Sequence, residues 1–105
     1  MNDINSVIVE GVVSTGVNDD GMFTISTSRY HKVGEKFNEE KTFVTCLVTG
    51  VLRDYVKDKL TEGRGLRIVG YLKEIEGNLG LFVEHAEFKP MKKSIKEGKY
   101  TFKID

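Results

Sequence analysis

The chain of 105 residues has one cysteine, one proline and no tryptophan. A lone cysteine excludes an internal disulfide framework and a multi-cysteine zinc site. Only His31 and His85 can be added to Cys46, and no metal-ligand spacing can be built from the three, so neither metal nor cofactor is expected. No apolar run approaches the ~20 residues a membrane helix needs. Met1-Asn2-Asp3 has neither the basic start nor the apolar stretch of a secretory leader. The expected setting is soluble, reducing and cytoplasmic, with no membrane partner. An excess of charge is lacking too: 16 basic residues balance 16 acidic ones, so net charge announces no polyanionic partner. The length allows one hydrophobic core and not two.

Catalytic chemistry is equally thin. Cys46 lies mid-strand on an apolar face and reads as a small buried hydrophobe. The acidic pairs Asp19-Asp20 and Glu39-Glu40 fall in turn-like segments where solvation explains them. Gly63-Arg64-Gly65 is too short for a phosphate-cradling loop and leads into a strand, not a helix. An enzyme is not expected.

What is present is a string of strands around one stretch, Lys41 to Leu72. Thr42 to Val48 alternates, with Val44, Cys46 and Val48 on one side and Phe43, Thr45 and Leu47 on the other. After Gly50, Val51, Leu52, Tyr55, Val56 and Leu60 recur at helical spacing, until Gly63 and Gly65 stop the helix. Leu66 to Leu72 is a second alternating run. Upstream, Ser6 to Val13 is a strand in which Gly11 marks a bulge or sharp bend, and Asn18 to Gly21 is turn chemistry. Met22 to Ser28 follows, with Phe23, Ile25 and Thr27 on one face. Arg29 to Glu40 is polar, contains Gly34, and reads as a mobile loop or a hairpin. Glu76 to Gly80 is a hairpin signal, Leu81 to Phe88 the last core strand, and Pro90 closes it. The fold class is all-β: a five-stranded Greek-key barrel of the OB type with one short helix between the third and fourth strands. The barrel domain spans 1–88 and a lysine-rich extension spans 89–105. That extension carries six lysines against Glu97 and Asp105, a balance of +4 that leaves −4 on the first 88 residues. It reads as a solvated tail, as a basic arm on phosphates, or, through the alternation of Tyr100 to Ile104, as an extra strand in an assembly.

Four segments resemble, in order and nearly in spacing, the bacterial single-stranded DNA-binding proteins. These are the opening Asn5-Ser6-Val7-Ile8-Val9-Glu10-Gly11, then Phe23 to Ser28, then Thr42 to Gly50, and last Gly65 to Leu72. The likeness covers about residues 4 to 88. It implies an OB-fold protein that coats and protects single-stranded DNA without sequence preference in replication, recombination or repair. It also implies a homo-oligomer, a tetramer or a dimer, associated with the nucleoid. Position by position, the family's loop aromatic falls on Tyr30 and its third-strand aromatic on Phe43. Thr49 replaces a further Phe, and the fourth-to-fifth hairpin offers only Ile75. The chain ends Phe102-Lys103-Ile104-Asp105 without the acidic tip that recruits partners in many members, so recruitment by that route is not expected.

The residues support a binding site independently of the family. Aromatic rings stack on any base, and cations meet phosphates. Tyr30, Phe43 and Tyr71 fall on the loop or non-core face if Val44, Cys46, Leu66 and Ile68 fill the barrel. Arg29, His31, Lys32, Lys36, Lys41 and Arg67 lie between them, with Thr45 alongside Phe43. Each aromatic has a plainer reading: Phe43 can cover the barrel end or lie in a subunit interface, Phe37 can serve either purpose, and Phe23, Phe82 and Phe88 read as core or interface. An oligomer is expected to cover the first-strand edge and Val7, Val9 and Leu47. Two other functions fit the same pattern: a primosome-like protein-interaction module and an RNA-binding OB domain.

Overall fold

The computed structural model describes residues 3–90. The chain runs through β1 (Val7–Thr15), β2 (Met22–Val33), β3 (Lys36–Leu47), α1 (Gly50–Val56), β4 (Gly65–Ile75) and β5 (Asn78–Phe88). The strands close into a barrel in the order β1-β2-β3-β5-β4. Every neighbouring pair is antiparallel except β3 and β5, which pair in parallel through Cys46–Leu81 and Leu47–Phe82. This is the five-stranded OB barrel that the alternation predicts, with its single helix between β3 and β4. The lysine-rich end from residue 91 onward lies outside the described residues.

The period-2 pattern works because each strand has one wet and one dry side. Phe23 and Ile25 of β2, Cys46 and the following Val48, Leu66 and Ile68 of β4, and Leu81 and Val83 of β5 fill the barrel with Val13. Val56 and Leu60 close its end. Burial holds the Cys46 thiol up at about 12, so it packs as a hydrophobe and not as a nucleophile.

Three expectations are corrected. The helix has seven residues, fewer than its apolar spacing implies. Only Leu52 and Val56 turn inward, while Val51 and Tyr55 face solvent and Leu60 is buried beyond the helix end. In β1 the phase is reversed: Val7 and Val9 pack against the core, and Ile8 and Val12 are the exposed apolar side chains. Gly11 is not the bulge, because the register shift falls between Val13 and Thr15. Glycine is needed there because a Cβ would overlap the Ser26 carbonyl oxygen. Of the two readings of Arg29 to Glu40, mobile loop and hairpin, the hairpin holds. β2 and β3 stay paired from Met22–Leu47 out to Val33–Lys36, and Gly34 makes the turn at φ +66°.

Candidate nucleic-acid interface

The long β2–β3 hairpin sorts its side chains by parity. Directly paired residues share a face, so Thr24–Thr45, Ser26–Phe43, Ser28–Lys41, Tyr30–Glu39 and Lys32–Phe37 form one ladder. The opposite face carries Arg29–Glu40, His31–Asn38 and Val33–Lys36. Successive rungs are about 7 Å apart, since a strand rises about 3.4 Å per residue. The first ladder therefore presents aromatic, basic and polar groups and one acid, Glu39, along roughly 20 Å of backbone, from the Phe37 rung to the Phe43 rung, by the same rise.

Its aromatics are open to solvent. Phe37 is 71% exposed, Tyr30 65% and Phe43 60%, far more than a ring held in the barrel core such as Phe23 at 3%. Tyr30 is held in orientation: its hydroxyl donates to Glu39 Oε2 at 3.3 Å, and the Ser28 hydroxyl donates to the same oxygen at 2.8 Å. At its barrel end the ladder runs into a cleft of about 320 Å³. Phe43 and Thr45 line it from β3, and Leu72, Leu79 and Leu81 line it from β4 and β5. Leu79 stands on the β4–β5 hairpin, exposed, where the family resemblance looks for an aromatic. Ile75 does not fill that role, because it is buried against the barrel at 7% exposure.

The expected site residues thus divide into three groups. Tyr30, Lys32, Lys41, Phe43 and Thr45 share the ladder. Arg29, His31 and Lys36 sit on the reverse side of the same hairpin. Arg67 and Tyr71 are elsewhere, on the outer side of β4 next to β1 and β5. Arg67 is already engaged. Its Nε and Nη2 meet Glu10 Oε2 at 2.8 and 2.6 Å, and Nη1 lies 3.8 Å from Glu87. Lys89 adds a 3.2 Å contact to the other Glu10 oxygen. The hydrogen bond from Arg67, then Lys89, holds the Glu10 carboxyl below its ordinary value, and Glu10 in turn raises Arg67. Tyr71 packs on Phe82 with centroids 5.1 Å apart and planes tilted by 31°.

Among the ladder members that sequence reasoning leaves unassigned, Phe37 and Glu39 matter most. Phe37 was open between roles, and its place follows only from the pairing with Lys32. Glu39 read as a solvated acid, yet it is the group that orients Tyr30. Among the described residues no cluster of three or more His, Cys, Asp or Glu side chains could hold a metal ion, and no helix is long and apolar enough to cross a membrane.

No family model matches the chain, and no curated protein matches its sequence. Solved structures do match in shape. A small single-stranded DNA-binding protein from Streptomyces coelicolor superposes with a TM-score of 0.62 at 18% identity, covering 84% of this chain and 94% of that one. A Plasmodium falciparum SSB in complex with ssDNA gives 0.64 at 14% identity, with coverages of 84% and 96%. The protein PriB from Ralstonia solanacearum gives 0.60 at 16% identity, with coverages of 82% and 98%. The chain has the OB fold, in a form shared with single-stranded DNA-binding proteins and PriB.

Proposed function

We propose that this protein binds single-stranded DNA along the β2–β3 ladder, by stacking bases on Tyr30, Phe37 and Phe43 and pairing phosphates with Lys32 and Lys41. The observation that carries the reading is the register of the hairpin. It brings three solvent-exposed aromatic rings and two lysines onto one face. A barrel stable on its own core has no structural need for such a face, and stacked bases give it one. The likeness to an SSB in complex with ssDNA supports the same reading. Binding of this kind has little regard for sequence and suits the coating of exposed strands in replication, recombination or repair. No step in it calls for catalysis.

Self-association belongs to the proposal. Ile8 and Val12 project from β1 into solvent, and Tyr71 and Phe82 lie partly exposed on the neighbouring strands of the same outer sheet. A homo-oligomer, a tetramer or a dimer, would cover them, and light scattering after gel filtration measures its mass. A second reading, a protein-interaction module, draws on Glu39 in the middle of the ladder and on the −4 balance of residues 1–88, both of which weaken attraction for phosphates.

The experiment is a fluorescence-anisotropy titration of a labelled dT oligomer at two salt concentrations, with RNA of equal length and duplex DNA as competitors. Two lysines meeting two phosphates give a log–log salt slope of about −1.4, at about −0.7 per phosphate on single strands. Absence of binding at low salt would leave the interaction module standing. Equal displacement by RNA would assign the face to single strands of either sugar.

A further inference from the structure

The ladder holds a group that a surface selected only for phosphates and bases of any kind would avoid. Glu39 sits directly across from Tyr30, and one of its oxygens accepts hydrogen bonds from both the Tyr30 and the Ser28 hydroxyls. Among the described residues its other oxygen, Oε1, has no hydrogen-bond or ion-pair partner. The Tyr30 hydroxyl lies at the outer rim of the ring, so the carboxylate is fixed at the edge of the platform and not beneath it. A base stacked on Tyr30 brings its own hydrogen-bonding edge to that rim.

The chemistry of the rim is one-sided. A carboxylate only accepts hydrogen bonds. At the exocyclic position of that edge cytosine presents an N4 amine that donates, whereas thymine presents an O4 carbonyl that only accepts and keeps its single donor, N3–H, flanked by two carbonyls. Single-stranded bases splayed onto an aromatic ring are read on these edges. We propose that Glu39, held in place by Ser28 and Tyr30, selects an amine-bearing base on the Tyr30 platform, cytosine over thymine. This inference rests on the reading of the ladder as a strand-binding face and adds to it a base preference that stacking alone does not produce. It also accounts for an acid between Lys32 and Lys41: the carboxylate addresses the base while the lysines address the backbone.

The test uses three labelled homo-oligomers of equal length, dC, dU and dT, titrated at pH 8. The dU oligomer separates the O4 carbonyl from the thymine methyl. The full chain is compared with Glu39→Gln and Ser28→Ala. The wild-type protein is expected to bind dC about five- to tenfold tighter than dU, the size of one ordinary net hydrogen bond, because the carboxylate is exposed and water competes for it. In Glu39→Gln the ratio falls to within about twofold, because the amide both donates and accepts and satisfies either edge. Ser28→Ala, which frees the carboxylate from one of its two anchors, lowers the ratio in the same direction. Equal binding of dC and dU by the wild-type protein overturns the proposal. So does a Glu39→Gln variant that changes both affinities by the same factor, since that makes Glu39 a hairpin brace or a general repulsive charge. If none of the three oligomers binds at low salt, the ladder reading itself fails and takes the base preference with it.

Discussion

Replacing Phe43 by alanine separates binding from folding. The ring is 60% exposed and belongs to none of the buried core, so its loss leaves the barrel packed. Exposed substitutions of this kind cost at most about 1 kcal/mol of stability, a shift of a few degrees in the melting midpoint for a domain of this size. Removing a stacking platform costs about 1–3 kcal/mol of binding, which is a five- to 150-fold rise in Kd. Tyr30→Ala is expected to fall in the same range. Tyr30 lies four residue steps from the Phe43 rung, about 14 Å along the strand, so the two sites are far enough apart for their losses to add. The double variant then loses the product of the two factors, within about 0.5 kcal/mol. Anisotropy on a dT oligomer measures the Kd values, and thermal unfolding followed by circular dichroism checks the fold. If Phe43→Ala melts far below the wild-type protein, the ring is structural. If both single variants bind as tightly as the wild-type protein, the strand does not lie on this face.

Further outcomes follow from the rest of the structure. Ile68→Ala, at a fully buried position, is expected to cost about 2–5 kcal/mol of unfolding free energy in a denaturant titration, a cost that a surface change would not show. Glu76 holds φ at +51° in the β4–β5 turn, so Glu76→Asn is expected to raise stability by about 1 kcal/mol by removing left-handed strain from the turn. Glu10 has a carboxyl lowered in the fold, so its contribution is present above the ordinary carboxylate value and is lost as pH falls through the lowered one. Glu10→Gln should flatten the acid limb of the stability–pH curve and leave its alkaline side unchanged in shape. The Cys46 thiol, fully buried and held up at about 12, should react with a disulfide reagent at pH 8 only as fast as the barrel opens, and denaturant should accelerate the reaction steeply.

The barrel was legible in the sequence because hydrophobic alternation is a local signal, and Phe23, Ile25, Cys46, Ile68 and Val83 each announce a face within a few residues. The face of β1 was not, because Val7, Ile8 and Val9 are all apolar: the period is visible but its phase is not, and only the pairing of β1 with β4 fixes it. The outer half of the β2–β3 hairpin was hidden for the opposite reason. From Ser28 to Lys41 every residue is exposed, so no burial pattern distinguishes paired strands from a loop. Aromatic residues and lysines could be picked out by type, yet their division between two faces depends on register. That division joins Tyr30 to Phe43 and removes Arg29, His31 and Lys36 to the reverse side. Arg67 shows the remaining difficulty. Its partner Glu10 is 57 positions away, and no local pattern reveals that the guanidinium is engaged.

The most direct test of the ladder is photocrosslinking of the full chain to an oligomer carrying 5-iodo-deoxyuridine, with the modified peptides identified by mass spectrometry. Crosslinks are expected at Tyr30, Phe37 and Phe43, the three exposed rings of one face. Crosslinks confined to Tyr71 and Phe82 on β4 and β5, or to the lysine-rich segment from residue 91 onward, would contradict the account and place the strand on another part of the molecule.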